Sequence, residues 1–70
     1  MSNFPSITPK ELIRMLEKKG FVLKRINGSH HFFVHPVSRK ITVVPMHSKD
    51  LPKGTLMAIL KQAGISKDDL

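Results

Sequence analysis

The sequence has no cysteine, and this absence limits what can hold the fold together. In a chain of 70 residues without Cys, neither a disulfide nor a thiolate-bound metal can add stability. A domain of this length buries only about 60% of its unfolded surface, so its core must be small. Nothing in the cysteine usage indicates an oxidising compartment, and we expect a cytoplasmic protein.

Long apolar runs are also missing. No uninterrupted apolar stretch approaches the ~20 residues of a membrane span. The first residues, Met1 to Thr8, lack the basic start and apolar run of a signal peptide. We expect one soluble domain over residues 1–70 with no membrane partner. The chain is 40% apolar, which is too much for a disordered basic tail.

Negative charge is absent from the middle of the chain. The window from Lys18 to Lys49 has no Asp or Glu, yet it holds seven of the 12 Lys and Arg residues and all 4 histidines. Outside the window five basic residues balance five acidic ones, so the formal net charge of +7 lies on one segment. A concentrated positive charge attracts polyanions. A nucleic acid is therefore the predicted partner, and a solvated basic surface is the alternative.

Local signals predict the order of the elements. A capping box at Thr8–Glu11 and a terminal Gly20 indicate a first helix over 9–19. Strands are predicted at 21–26, 30–35 and 40–44, the first two joined by an Asn27-Gly28 hairpin turn. Helical spacing of apolar residues predicts a second helix over 53–63, with one further turn possible at 66–69. The fold class is α+β: a three-stranded antiparallel sheet in α-β-β-β-α order, with both helices on one face.

The second strand is where the histidines concentrate. Alternation puts His31, Phe33 and His35 on one face, and His30 with Phe32 on the other. The pattern nominates the first set as the exposed one, with Phe33 stacking a base between two imidazoles. The alternative is that Phe33 belongs to the core and that His31 and His35 are solvent-facing strand residues.

Two kinds of catalytic site fit the sequence poorly. A metal held by His30, His35 and His47 is disfavoured, because the basic window offers no carboxylate or thiolate and would repel a dication. A triad built on Ser29 lacks an acidic residue near a histidine in sequence. We expect no metal and no cofactor.

Metal-free RNA cleavage fits better, because the ribose 2′-OH is an internal nucleophile. The protein then needs one proton-transferring group and cationic donors for the phosphorane. Gly28 would let the backbone approach a phosphate, and Ser29 could anchor it. The candidate phosphate-binding side chains are Lys24, Arg25, Arg39, Lys40 and Lys49.

Three separated motifs, Gly28–Phe33, Thr42–His47 and Lys53–Ile65, resemble the HicA (YcfA-like) toxins. The similarity runs from about Thr8 to Ile65. It implies a fold like the double-stranded-RNA-binding domain and activity as a ribosome-independent mRNA interferase. It also implies neutralisation by a HicB-type antitoxin in a toxin-antitoxin system.

The resemblance identifies His30, the histidine directly after Gly-Ser, as the catalytic residue. This disagrees with the face argument, which prefers His31 and His35. His47 takes the place of the family's Pro-x-His segment, with a structural or RNA-positioning role. Two alternatives remain: a non-catalytic module of the double-stranded-RNA-binding type, and a toxin inactivated by sequence drift.

Overall fold

The computed structural model describes residues 6–46 and 49–69, and it has the predicted α-β-β-β-α order. The elements are α1 (Pro9–Lys18), β1 (Val22–Asn27), β2 (His30–Val34), β3 (Ile41–Pro45) and α2 (Lys53–Ala63). A short 3-10 turn, Lys67–Asp69, follows α2 at the position where one further turn was predicted. The fold class is confirmed.

Both ends of α1 form as the sequence predicts. The Glu11 N–H donates to Thr8 Oγ1 at 3.2 Å, and the Thr8 N–H donates to Glu11 Oε1 at 3.0 Å, so the capping box is complete. At the other end Gly20 has φ +98°, and the Phe21 N–H donates to the Leu16 carbonyl at 2.9 Å. This left-handed glycine stops the helix and turns the chain into β1.

The capping box makes a pH-dependent contribution to stability. The hydrogen bond from the Thr8 backbone N–H, followed by that with the Thr8 side chain, lowers the pKa of Glu11 below its ordinary value of 4.5. Because the folded-state pKa is the lower one, the stabilisation is present above pH 4.5 and is lost as the pH falls through the folded pKa. Urea unfolding of the wild type and Glu11→Gln, measured from pH 6 downwards, should show the stability advantage of the wild type shrinking only below about pH 5. A difference that stays constant with pH would contradict this assignment.

The sheet is a meander with β2 in the centre, paired antiparallel with β1 on one side and β3 on the other. The first hairpin loop is Gly28-Ser29, one residue later than predicted, because Asn27 still pairs with His30. Gly28 has φ +61° whereas Ser29 has no positive φ, which matches a type II′ turn. A β-bulge interrupts β1 between Leu23 and Arg25.

Both helices pack on one face of the sheet. That face contributes Phe33, Thr42 and Val44, each at most 1% exposed. They meet the apolar stripes of the helices, including Leu12 and Leu16 of α1 and Leu56, Ile59 and Leu60 of α2. The buried Thr42 hydroxyl donates to Gln62 Oε1 at 2.9 Å and so ties β3 to α2. The other face of the sheet is turned away from the helices and from this core.

His35 connects the end of α1 to the turn between β2 and β3. Its Nδ1 accepts from the N–H groups of Val37 and Ser38 at 3.1 and 3.2 Å, which leaves the proton on Nε2. Nε2 then donates to the Lys19 carbonyl at 3.0 Å, and the ring packs edge-on against Phe21. His35 is therefore structural in this fold.

We expect Gly20→Ala to lower the free energy of unfolding by about 1–3 kcal/mol, because a side chain at φ +98° is strained. The added Cβ would also lie 2.7 Å from His35 Nε2. Gly54→Ala in α2 is the matched control, since a Cβ there meets nothing within 4 Å, and it should stabilise by about 0.5–1 kcal/mol. Urea unfolding of both variants measures the difference, and a Gly20→Ala as stable as Gly54→Ala would refute it.

Candidate functional site

The face of the sheet turned away from the helices, here called the open face, carries three rows of cross-strand partners. Residues on this face alternate with the buried Phe33, Thr42 and Val44. Among the described residues, both helices pack against the buried face of the sheet and not against the open face. The rows are Asn27, His30 and Pro45; Arg25, Phe32 and Val43; and Val22, Val34 and Ile41.

The middle row contains a close contact between a cation and an aromatic ring. The guanidinium carbon of Arg25 lies 4.7 Å from the centroid of the Phe32 ring, within the range of a cation–π interaction. The bulge around Lys24 brings Arg25 directly opposite Phe32, because the extra residue shifts the alternation of β1 by one. Phe32 is half-buried and Arg25 is exposed.

A groove of about 510 Å³ begins at this pair and extends away from the hairpin turn. Its sides include Val34 and Ile41, and the cations Lys24, Arg25 and Arg39 line it. Arg39 has φ +66°, a left-handed conformation that costs a non-glycine residue about 1 kcal/mol or more. The groove therefore combines an apolar interior with positive charge, as a site for an anionic ligand with a flat apolar part would.

His30 lies at the other end of the open face, where β2 leaves the hairpin turn. Its side chain is exposed, and it occupies the same face as Phe32, two residues along the strand. A Cβ on the neighbouring Gly28 would meet nothing within 4 Å, so a ligand can approach the turn backbone there. The Ser29 carbonyl accepts from the Met46 N–H at 2.7 Å, which fixes the turn to the end of β3.

The face prediction for β2 is wrong. Phe33 is 1% exposed and lies in the core, so it cannot stack on a base. His31, which flanks it on the same face, is half-buried, and its Nδ1 is enclosed without a hydrogen-bond partner among the described residues. His35 is engaged with backbone groups at the α1 end. Phe33 packs in the core cluster with residues of both helices, including Leu12 and Leu56, and burial of this ring decides which face of β2 meets the helices.

The remaining predicted residues lie in several places. Lys24, Arg25 and Arg39 meet at the groove, whereas the Lys40 side chain lies against Gly64, beyond the carboxyl end of α2. A cation is favourable at that end of a helix. Lys49 lines a separate hollow of about 220 Å³ beside Lys10 at the start of α1. His47 lies outside the described residues.

Phe32, the aromatic residue on the open face, is not among the site residues predicted from the sequence. A signal for it existed, because Phe32 shares the parity of His30 in β2. Once the motif assigned His30 to an exposed position, alternation required Phe32 to be on the same face. The partial burial of that ring under Arg25 could not be predicted, because it depends on the bulge.

The described residues form neither a cluster of metal ligands nor a membrane-spanning helix. Within residues 6–46 and 49–69, no group of three His, Cys, Asp or Glu side chains lies close enough together to hold a metal ion. Neither helix in those ranges is long and apolar enough to cross a membrane.

Comparison of the sequence with models of known protein families identifies the family of the chain. A model described as the HicA toxin of bacterial toxin-antitoxin systems matches residues 9–65. The chain belongs to the HicA toxin family. A search of curated proteins found no match. The matched range includes both helices, all three strands and the whole open face. As a HicA-type toxin the chain is one component of a toxin-antitoxin pair, and the family implies an antitoxin partner.

Proposed function

We propose that this HicA-type toxin is a metal-independent, ribosome-independent endoribonuclease, an mRNA interferase that binds RNA on the open face and uses His30 for proton transfer. A HicB-type antitoxin neutralises it. An mRNA substrate implies action in the cytoplasm. The observation that carries the proposal is that His30 is exposed on the open face, on the same strand as the Arg25–Phe32 contact.

The chemistry requires few groups. When the 2′-OH attacks the adjacent phosphorus, a base removes its proton and an acid protonates the departing 5′ oxygen. His30 supplies one of these two functions. Lys24, Arg25 and Arg39, which meet at the groove, provide positive charge for phosphates of the bound strand. At the turn, the Gly28 and Ser29 backbone offers N–H groups close to His30 for the phosphate that is cut.

Charge supports metal independence. A divalent ion would normally need carboxylate oxygens or thiolates, and the window Lys18–Lys49 has no Asp, Glu or Cys. The cationic side chains around the groove would repel the ion further. In this proposal protein cations take the part that a metal plays in other nucleases.

The positive charge around the groove also indicates what surface the proposed antitoxin should have. A HicB-type partner would present an acidic surface that covers His30 and the groove, so that RNA and antitoxin compete for the open face. Binding of this kind would also stabilise the small toxin fold by mass action.

The test is cleavage of a labelled, unstructured RNA by the purified toxin in excess EDTA. We expect cutting to continue in EDTA and to stop when the RNA is replaced by its 2′-deoxy analogue, which lacks the nucleophile. RNA that is bound but never cut would contradict the proposal and favour the non-catalytic RNA-binding module. Cleavage that EDTA abolishes would refute metal independence.

A further inference from the structure

The contact between Arg25 and Phe32 has a geometry that phosphate binding alone does not require. The two residues are direct cross-strand partners, and the guanidinium lies over the ring at 4.7 Å. Nucleobases stack on aromatic rings and on guanidinium planes, and each such contact tolerates any base because every base has a π-face. Because the guanidinium covers the ring from one side, a base would stack on the exposed guanidinium or on the part of the ring that stays accessible.

The surroundings of the pair suit a base as well. Val34 and Ile41 form the apolar part of the groove next to Phe32, and Ile41 is 61% exposed. Arg39 and Lys24 line the same groove, and their positive charge would attract the phosphates of a bound strand. At about 510 Å³, the groove is within the range of about 300–1,000 Å³ that small-molecule sites occupy.

The kind of contact that this pair offers indicates the form of the RNA. Bases inside a duplex are stacked on both faces by their neighbours, so none of them can place a face against Phe32 or Arg25. A base that does so must be unstacked and unpaired, as in a single strand. His30 and Phe32 are two residues apart in one strand, so their Cα atoms are separated by about 6.7 Å and the platform lies beside the proposed catalytic residue.

We propose that Phe32 and Arg25 form a stacking platform for one unpaired RNA base, and that the toxin therefore takes single-stranded rather than duplex RNA. This inference rests on the proposed function, since it assigns His30 to the scissile linkage. Phe32 is a positioning residue here: it fixes the nucleotide next to the linkage and takes no part in proton transfer.

The test measures binding without cleavage. In a His30→Ala background, a short unstructured RNA and a blunt duplex of the same sequence are titrated with each variant at one salt concentration. Phe32→Leu removes the aromatic face and should weaken binding of the single strand about 5- to 150-fold. Its effect on the duplex should be below about twofold, because the phosphate contacts remain. Phe32→Trp should restore single-strand binding.

Arg25→Lys is a second test of the platform. Arg25 is exposed, so this substitution leaves the Phe32 side chain itself unchanged. The substitution keeps the charge but loses the planar guanidinium, and we expect about 3- to 10-fold weaker binding of the single strand. Arg14→Lys on α1 is the matched control, since Arg14 is exposed on a helix that packs against the opposite face, and it should leave binding unchanged.

The outcomes separate this inference from the proposed function. Equal losses on single strand and duplex, or no loss on the single strand for Phe32→Leu and Arg25→Lys, would overturn the platform even if the wild type cleaves RNA. Selective loss on the single strand with rescue by Trp would support the platform even if the wild type proves unable to cut.

Discussion

Replacing His30 should abolish most of the cleavage while leaving RNA binding intact. Proton transfer by a positioned side chain contributes about 10²–10⁴-fold to rate, so we expect His30→Ala and His30→Gln to lower the single-turnover rate constant by that factor. The Gln variant matters because it keeps hydrogen-bonding groups and approximate size but cannot exchange a proton near neutrality. Affinity should change by less than about threefold, since the groove cations are untouched.

Two readouts distinguish a catalytic His30 from a structural one. Imidazole added to the buffer should restore part of the activity to His30→Ala, because the exposed position leaves room for a diffusing base. Urea unfolding should give nearly the same midpoint for the variant and the wild type, as expected for a surface substitution. If His30→Ala is stable, binds RNA and cuts at the wild-type rate, His30 is not the catalytic residue. His31 and His47 would then be the next histidines to replace.

The neighbouring phenylalanines should differ sharply in their effect on stability. Phe33 is 1% exposed in the centre of the core, so Phe33→Ala should cost about 3–5 kcal/mol through lost burial and the cavity left behind. Domains have about 0.05–0.15 kcal/mol of stability per residue, or about 3.5–10 kcal/mol for a chain of this size. The loss therefore amounts to a large part of the total stability, and the variant should unfold at a much lower urea concentration than the wild type.

Phe32→Ala is the matched control, because it makes the same chemical change one position earlier on the open face. Phe32 is only half-buried, so its loss should cost less than about 1.5 kcal/mol, chiefly the contact with Arg25 and part of the ring burial. Urea unfolding by circular dichroism compares the two free energies directly. Equal costs would mean that the assignment of the two faces of β2 is incorrect.

The element order could be predicted because its signals are local. The capping box at Thr8 and Glu11, the left-handed Gly20 and Gly64, and the glycine-containing hairpin turn each fix the chain within a few residues. The boundaries agree closely: α2 covers the predicted range, and α1 ends at Lys18 with Lys19 as its cap. No long-range contact is needed to interpret such signals.

The candidate site was predictable only in part. His30, Lys24, Arg25 and Arg39 follow from the family motif and the basic window, and the structure brings the last three together at the groove. Lys40 and Lys49 belong to the same window but lie at the end of α2 and beside α1. Net charge shows that cations are concentrated in a segment, whereas their positions on different surfaces depend on how the segment folds.

The sequence by itself determined the order of helices and strands, the chain reversals and the concentration of positive charge, because caps, turns and charge act over a few residues. The tertiary structure decided which face of β2 is buried. Alternation divides a strand into two sets, and both sets here contain a phenylalanine, so the pattern could not say which set faces the helices. The bulge in β1, which places Arg25 over Phe32, was equally inaccessible, since it exists only through pairing with β2.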